Sequence, residues 1–443
     1  MILKLFLRDT GAKYPCKWGS AFKIYRERRK YHAETKNHEK SLAVAIGCAL
    51  LLFMNTGICT TAGYSFFVPI ATSLGVDVGL VSYSVTVNSI VVMIFCLFYG
   101  KLIKLPLKVT MIISGILMGG SWILQGIADN VMTMYVAYAI RGAASMFAGN
   151  MITSVILLNW FKHNTVMAAI NTMDNLAPAI FSAPIAVAIE THGWRPVSYV
   201  IGVISIILTA VAAFLIVKIS PQQCGLYPVG AVIGAKEETP NPTSLPGLTT
   251  KEALKTPKLY LAMFIAACVL FLAQGMASHR VPIIMGMGLT YVQANVAVGA
   301  ASIAAVGFEV IFGAAADKFG LKASLLFSGV VYVIAMLIGL LAPSGIVAWG
   351  VAYGICTASM AVGGMYPAMA AKELFGVKAM AAISGWLQAA MMIGGIIGSA
   401  IVATIYTTSG DYNIVMIVAI IPAVLAAVIG MIAHKKSNRF VIN

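Results

Sequence analysis

The chain has 443 residues, 60% of them hydrophobic and only 10% charged, with a mean hydropathy of +0.90. That excludes an ordinary soluble domain, in which about 25% of residues are charged. The formal net charge of +15 does not point to nucleic acid, because the basic residues fall in a tail and in short gaps between apolar runs, where they act as a topology signal.

Residues 1–40 form a basic tail with 11 lysines and arginines. Its run Lys23-Ile-Tyr-Arg-Glu-Arg-Arg-Lys suits either a solvated tail or contact with anionic lipid. No signal peptide is expected, because the first apolar run starts past residue 40 and is too long for an h-region.

Apolar runs long enough to cross a bilayer as helices, about 20 residues each, follow in chain order. The first six lie at 42–69, 79–100, 108–127, 131–158, 164–189 and 195–218. After a polar gap come 258–283, 293–315, 322–342, 345–371, 379–406 and 412–434. Open strands would leave backbone groups unpaired in lipid, and the alternating ten-residue segments of a β-barrel are absent. The predicted fold is therefore an all-α membrane protein of twelve transmembrane helices.

Lysines and arginines set the orientation. Of the 30, 27 fall on one side: in the two tails, the loops at 101–108, 162, 318–322 and 372–378, and the stretch 218–258. This predicts cytoplasmic N- and C-termini and a multi-pass protein of the plasma membrane. The seven cysteines have no metal-ligand spacing and read as small apolar packing residues, so no metal and no cofactor are expected.

An internal repeat divides the chain. One offset of 213 residues places Val68-Pro69-Ile70 on Val281-Pro282-Ile283, Gly100 on Gly313, and Met167-Ala168-Ala169-Ile170 on Met380-Ala381-Ala382-Ile383. Two pseudo-symmetric six-helix bundles are thus predicted at 41–218 and 258–434. They are joined by a flexible Pro/Gly/Ser/Thr-rich cytoplasmic linker at 219–257 and followed by a short tail at 435–443.

The loop Gly313-Ala-Ala-Ala-Asp317-Lys318-Phe-Gly320-Leu-Lys322 resembles the signature loop of the major facilitator superfamily. The resemblance implies that Asp317 and its basic neighbours bridge helix ends and hold one gate conformation. The first-half copy keeps Gly100 but has Lys104 where the aspartate is expected. Arg141-Gly-Ala-Ala-Ser-Met-Phe-Ala-Gly149 resembles a second motif of that superfamily. The stretches Asn159-Trp160-Phe161, Gly193-Trp194-Arg195 and Pro221-Gln-Gln-Cys-Gly225-Leu-Tyr-Pro228 are similar to its oxalate/formate and monocarboxylate branch. The family likeness implies a monomeric secondary transporter whose partners are a small-molecule substrate, protons and the bilayer.

Ionisable residues at bilayer depth cost at least about 2.5–3.5 kcal/mol on insertion scales, so each needs a partner, a wet cavity or a purpose. Arg141 lies roughly 15 Å from the outer end of its helix. It reads either as an attractor of substrate carboxylate or as a packing arginine. Asp174 reads as a functional acid or as a carboxyl bonded among Asn171, Thr172 and Asn175. Direct pairing of Asp174 with Arg141 would require side chains at different depths to converge.

Glu309 stands four residues before Gly313, where the resembling branch carries an anion-binding arginine. The opposite charge suits a proton carrier or a binder of a cationic group. Arg280, beside His279 near the outer end of its helix, either snorkels to the interface or replaces that arginine. Asn55, Tyr64, Asn88, Asn150, Gln274, Tyr353 and Gln388 are cavity-lining candidates, each also able to serve as a helix–helix hydrogen bond.

The predicted function is proton-coupled or exchange transport of a small organic solute, a monocarboxylate or related organic anion. The alternative is an exporter of cationic or amphipathic compounds. Enzyme activity has no motif to support it.

Overall fold

The computed structural model describes residues 39–216, 218–226, 228–229, 247–277, 279–285, 288–341, 365–409 and 412–433. The chain runs through α1 (Glu39–Leu74), α2 (Val78–Leu97), α3 (Leu107–Gly126), α4 (Val131–Trp160), α5 (Thr165–His192) and α6 (Trp194–Leu215). It resumes with α7 (Pro257–Ala277), which after a break continues as Arg280–Met285. One continuous run, Tyr291–Leu341, is divided at Gly320 into α8 (291–319) and α9 (321–341). Then come α10 (365–375), α11 (Met380–Ser409) and α12 (Tyr412–Ala433). Among the described residues, eight helices are long and apolar enough to cross a bilayer. The expected tenth span, 345–371, falls largely outside the described residues, as does Tyr353.

The helices start and stop where local chemistry says they should. Asp77 and Asn130 cap α2 and α4, their side chains accepting from the backbone N–H of Gly79 and Thr133. Gly320 turns the chain with φ 80°, a conformation open to glycine, so α8 ends and α9 begins there. Apolar residues cover the outside: Ile116 on α3 and Phe214 on α6 are 53% and 68% exposed, a surface stable only against lipid.

Regular geometry fails in α1. Residues Leu52–Thr61 form a π-helix and Ala62–Phe66 a 3₁₀ turn before the α-helix resumes. Such wide turns are rare and gather at functional sites. The cause lies in packing against α5: a Cβ on Gly57 would stand 2.4 Å from the Ala177 side chain and 2.9 Å from the Asp174 carbonyl oxygen.

First-half and second-half helices meet at both ends. At the lysine-rich end one apolar core holds Tyr99, Trp160 and Phe161 together with Phe312, Tyr366 and Phe375. Close backbone approach makes this possible, since a Cβ on Gly100 would lie 2.6 Å from that of Ala382, and one on Gly385 2.5 Å from the Cys96 carbonyl. At the opposite end the Ser65 hydroxyl donates to Asn295 Oδ1, and the Tyr291 hydroxyl donates to the Ser65 carbonyl at 2.7 Å.

The linker, expected to be loose, is pinned at its two ends. The Val229 N–H donates to the Trp160 carbonyl at 2.8 Å, and the Leu248 N–H to the Phe375 carbonyl at 2.8 Å. Between these lie residues outside the description. A capping box of Thr249 and Glu252 opens a short helical turn, and those hydrogen bonds hold the Glu252 carboxyl below its ordinary range.

Candidate functional site

Two charged centres lie at depth, and they are built differently. Arg141 on α4 is 3% exposed. Its Nε donates to the Ser121 hydroxyl at 3.3 Å and its Nη2 to Gln125 Oε1 at 2.9 Å. The guanidinium lies 4.2 Å from the Trp122 ring centre and 4.3 Å from that of Tyr138. Gln125 in turn donates to Ser198 at 3.4 Å, and Ser198 to the Trp194 carbonyl at 2.9 Å. All of these partners belong to α3, α4 and α6, and no carboxylate bonds Arg141 among the described residues. This is the packing arrangement expected of a structural arginine, made with side chains and aromatic faces.

Glu309 on α8 is 1% exposed. Across the seam, the Asn175 amide of α5 donates to Glu309 Oε1 at 2.9 Å and to Asp174 Oδ1 at 3.0 Å. One amide nitrogen of Asn175 thus donates to both carboxyls, which brings an oxygen of each to the same donor. Two carboxylates held this close do not both stay ionised, so the pair keeps one proton. No N–H or hydroxyl of the described residues reaches Glu309 Oε2. Asp174 and Arg141, whose depths differ in the sequence reading, are not brought together.

Burial of Arg280 corrects the snorkelling expectation, because it is 2% exposed. The Arg280 guanidinium lies 5.4 Å from the ring centre of half-buried Tyr64 in the 3₁₀ turn of α1. His279, half-buried, immediately precedes Arg280.

Most of the remaining polar candidates join helices. Asn55 donates to Thr209 and accepts from Ser205, each at 2.9 Å, fastening α1 to α6. Asn88 donates to the Tyr138 carbonyl at 3.1 Å, linking α2 to α4. Asn150 accepts from Ser154 inside its own helix at 3.0 Å. Gln274 differs, since its amide donates to Ser89 at 3.0 Å and so crosses from the second half of the chain to the first. Gln388 is half-buried on α11.

The loop at Gly313 forms a contact across the lysine-rich end. Asp317 accepts from the Thr165 N–H at 2.7 Å and from its hydroxyl, so a second-half carboxylate caps the first turn of α5. Lys318 lies 5.2 Å from the Phe319 ring centre, and Lys104, Lys318 and Lys322 are exposed. The family model for the Major Facilitator Superfamily matches residues 45–372. The chain belongs to the major facilitator superfamily. It is therefore a multi-pass membrane transporter, a class whose members move solutes and do not catalyse chemical conversion. Comparison with curated proteins gives no match.

The spacing of Gly313, Asp317, Lys318 and Gly320 pointed to the superfamily loop, and Tyr64 and Asn175 were each singled out, whereas the partners they meet across the two halves were not. Asn175 and Tyr64 matter because of what they bridge. The partner of Asn175, Glu309, stands 134 residues away along the chain, and no local spacing signals that contact.

Proposed function

We propose that this superfamily member is a proton-coupled transporter of a small organic anion, with Arg280 receiving the anion and the Asp174–Glu309 pair carrying the proton. The observation that supports the reading most is the carboxyl pair joining α5 to α8 across the two chain halves, roughly one helix turn from the Gly313 loop. A proton at a junction between moving parts couples its arrival and departure to their separation. Arg280, buried under Tyr64 nearer the other end, supplies a fixed positive charge with aromatic cover, suited to a carboxylate with a small apolar body.

The same proposal takes the architecture as two six-helix bundles at 41–218 and 258–434 that rock about a central site. The termini are cytoplasmic, the membrane is the plasma membrane and the working unit is the monomer. The oxalate/formate and monocarboxylate likeness of Gly193-Trp194-Arg195 and Pro221–Pro228 supports the anion class.

A second reading, export of a cationic compound, draws on one observation: no lysine or arginine pairs with Asp174 or Glu309 among the described residues. Proteoliposomes loaded with an internal pH dye separate the two. Proton entry driven by small monocarboxylates, lost in Arg280→Ala and in Glu309→Gln, supports the anion symporter. Proton movement driven by amines alone, with Arg280→Ala unaffected, replaces it with the cation exporter.

A further inference from the structure

We propose that Asp174, Glu309 and Asn171 form a binding site for one sodium-sized monovalent cation, which competes with a second proton for the singly protonated carboxyl pair. The inference rests on the reading of this pair as the coupling site and names a second occupant for it.

Charge balance is the first argument. One shared proton leaves the pair with a net charge of −1 in a place 1% exposed at Glu309. Arg141 is held among Ser121, Gln125, Trp122 and Tyr138, and no lysine, arginine or histidine of the described residues pairs with either carboxyl. A site of this kind needs a mobile positive charge to stay closed in lipid.

The second argument is independent of the acids. Asn171 stands one helical turn before Asn175 on α5, is 2% exposed, and neither atom of its amide has a hydrogen-bond partner. A residue and its neighbour four positions on share a helix face, so Asn171 belongs to the face that meets Glu309. The site thus offers a carboxyl oxygen of Asp174, Glu309 Oε2 and Asn171 Oδ1, three hard oxygen donors of the kind that hold alkali and alkaline-earth ions. Net charge favours the monovalent ion, because with one proton retained a single positive charge neutralises the pair.

Among the described residues, no other titratable side chain bonds either carboxyl. From α1, Gly57 packs against the Asp174 backbone and carries no side chain. From α5 and α8 the groups that titrate here are Asp174 and Glu309 themselves.

The test is thermal unfolding of the purified full-length protein in sodium chloride against choline chloride, at pH 6 and pH 8. The expected result is a sodium-specific rise in the midpoint. Apparent sodium affinity should weaken up to about tenfold per pH unit on acidification, as one proton displaces one ion. Asp174→Asn and Asn171→Ala should lose the response, while Asp129→Asn, at an exposed loop, should keep it. Equal effects of sodium and choline overturn the proposal. So does a sodium response equal at the two pH values, which needs no variant, or a response to calcium with none to sodium. Carboxylate-driven proton entry that persists in sodium-free liposomes while the sodium shift is missing removes the cation site alone. A sodium shift without carboxylate-driven entry removes the anion reading alone.

Discussion

Arg141 and Glu309 are both buried ionisable side chains at bilayer depth, yet their surroundings are opposite. Around Arg141, two hydrogen bonds and two aromatic faces complete the guanidinium's solvation from within the first half of the chain. Around Glu309, one oxygen is bonded by Asn175 of the opposite half and the other finds no hydrogen-bond partner among the described residues. A finished shell fixes a charge in place and needs nothing further. An unfinished shell that joins the two halves of the chain leaves a role for something that comes and goes.

The comparison breaks most visibly at Glu309. Glu309→Gln keeps the shape and the Asn175 contact but removes the acid, and substrate-driven proton flux in liposomes should fall below detection while the protein still purifies as a folded species. If flux survives, the two centres do not differ in kind. Arg141→Ala should act on stability instead, because losing two hydrogen bonds and two ring contacts costs about 2–4 kcal/mol. Fluorescence-monitored unfolding should show that loss, with Arg141→Lys recovering part of it.

A smaller effect is expected at the lysine-rich end. Thr165→Val removes the hydroxyl donor to Asp317 and should weaken that junction by about 1 kcal/mol, in the range of a helix-cap loss. Labelling of a cysteine placed at the seam should then speed up several-fold. The least change is expected from Asp129→Ala. Its bond to Arg195 is 2.9 Å long but lies between side chains 38% and 84% exposed, so the loss should be under about 1 kcal/mol and shrink further in salt.

How far these features could be read in advance depended on whether their cause is local. The apolar runs, the caps at Asp77 and Asn130 and the turn at Gly320 follow from residues within a few positions of each other. The predicted edges fell short of the helices, with α1 reaching Glu39–Leu74 where 42–69 was expected, because polar ends extend past the hydrocarbon. The π-helical stretch of α1 was not legible, since its cause is the backbone of α5 against Gly57.

Arg280 misled for a related reason. Its position near a helix end predicts snorkelling, but the side chain is buried beside Tyr64, a residue of the other half of the chain. The pairing of Asp174 with Glu309 was equally hidden, although each acid had been singled out alone. Depth along a helix is readable from sequence, whereas which helix lies opposite at that depth is a property of the assembled bundle.

Duplication left the two seams at the lysine-rich end unequal. The contact between Asp317 and Thr165 has as its image, 213 residues away, the pair Lys104 and Lys378. There two lysines stand where the other seam has a carboxylate and its donor. Two like charges cannot make the bond that a carboxylate makes, so duplication kept the position in both halves of the chain and the latch in one.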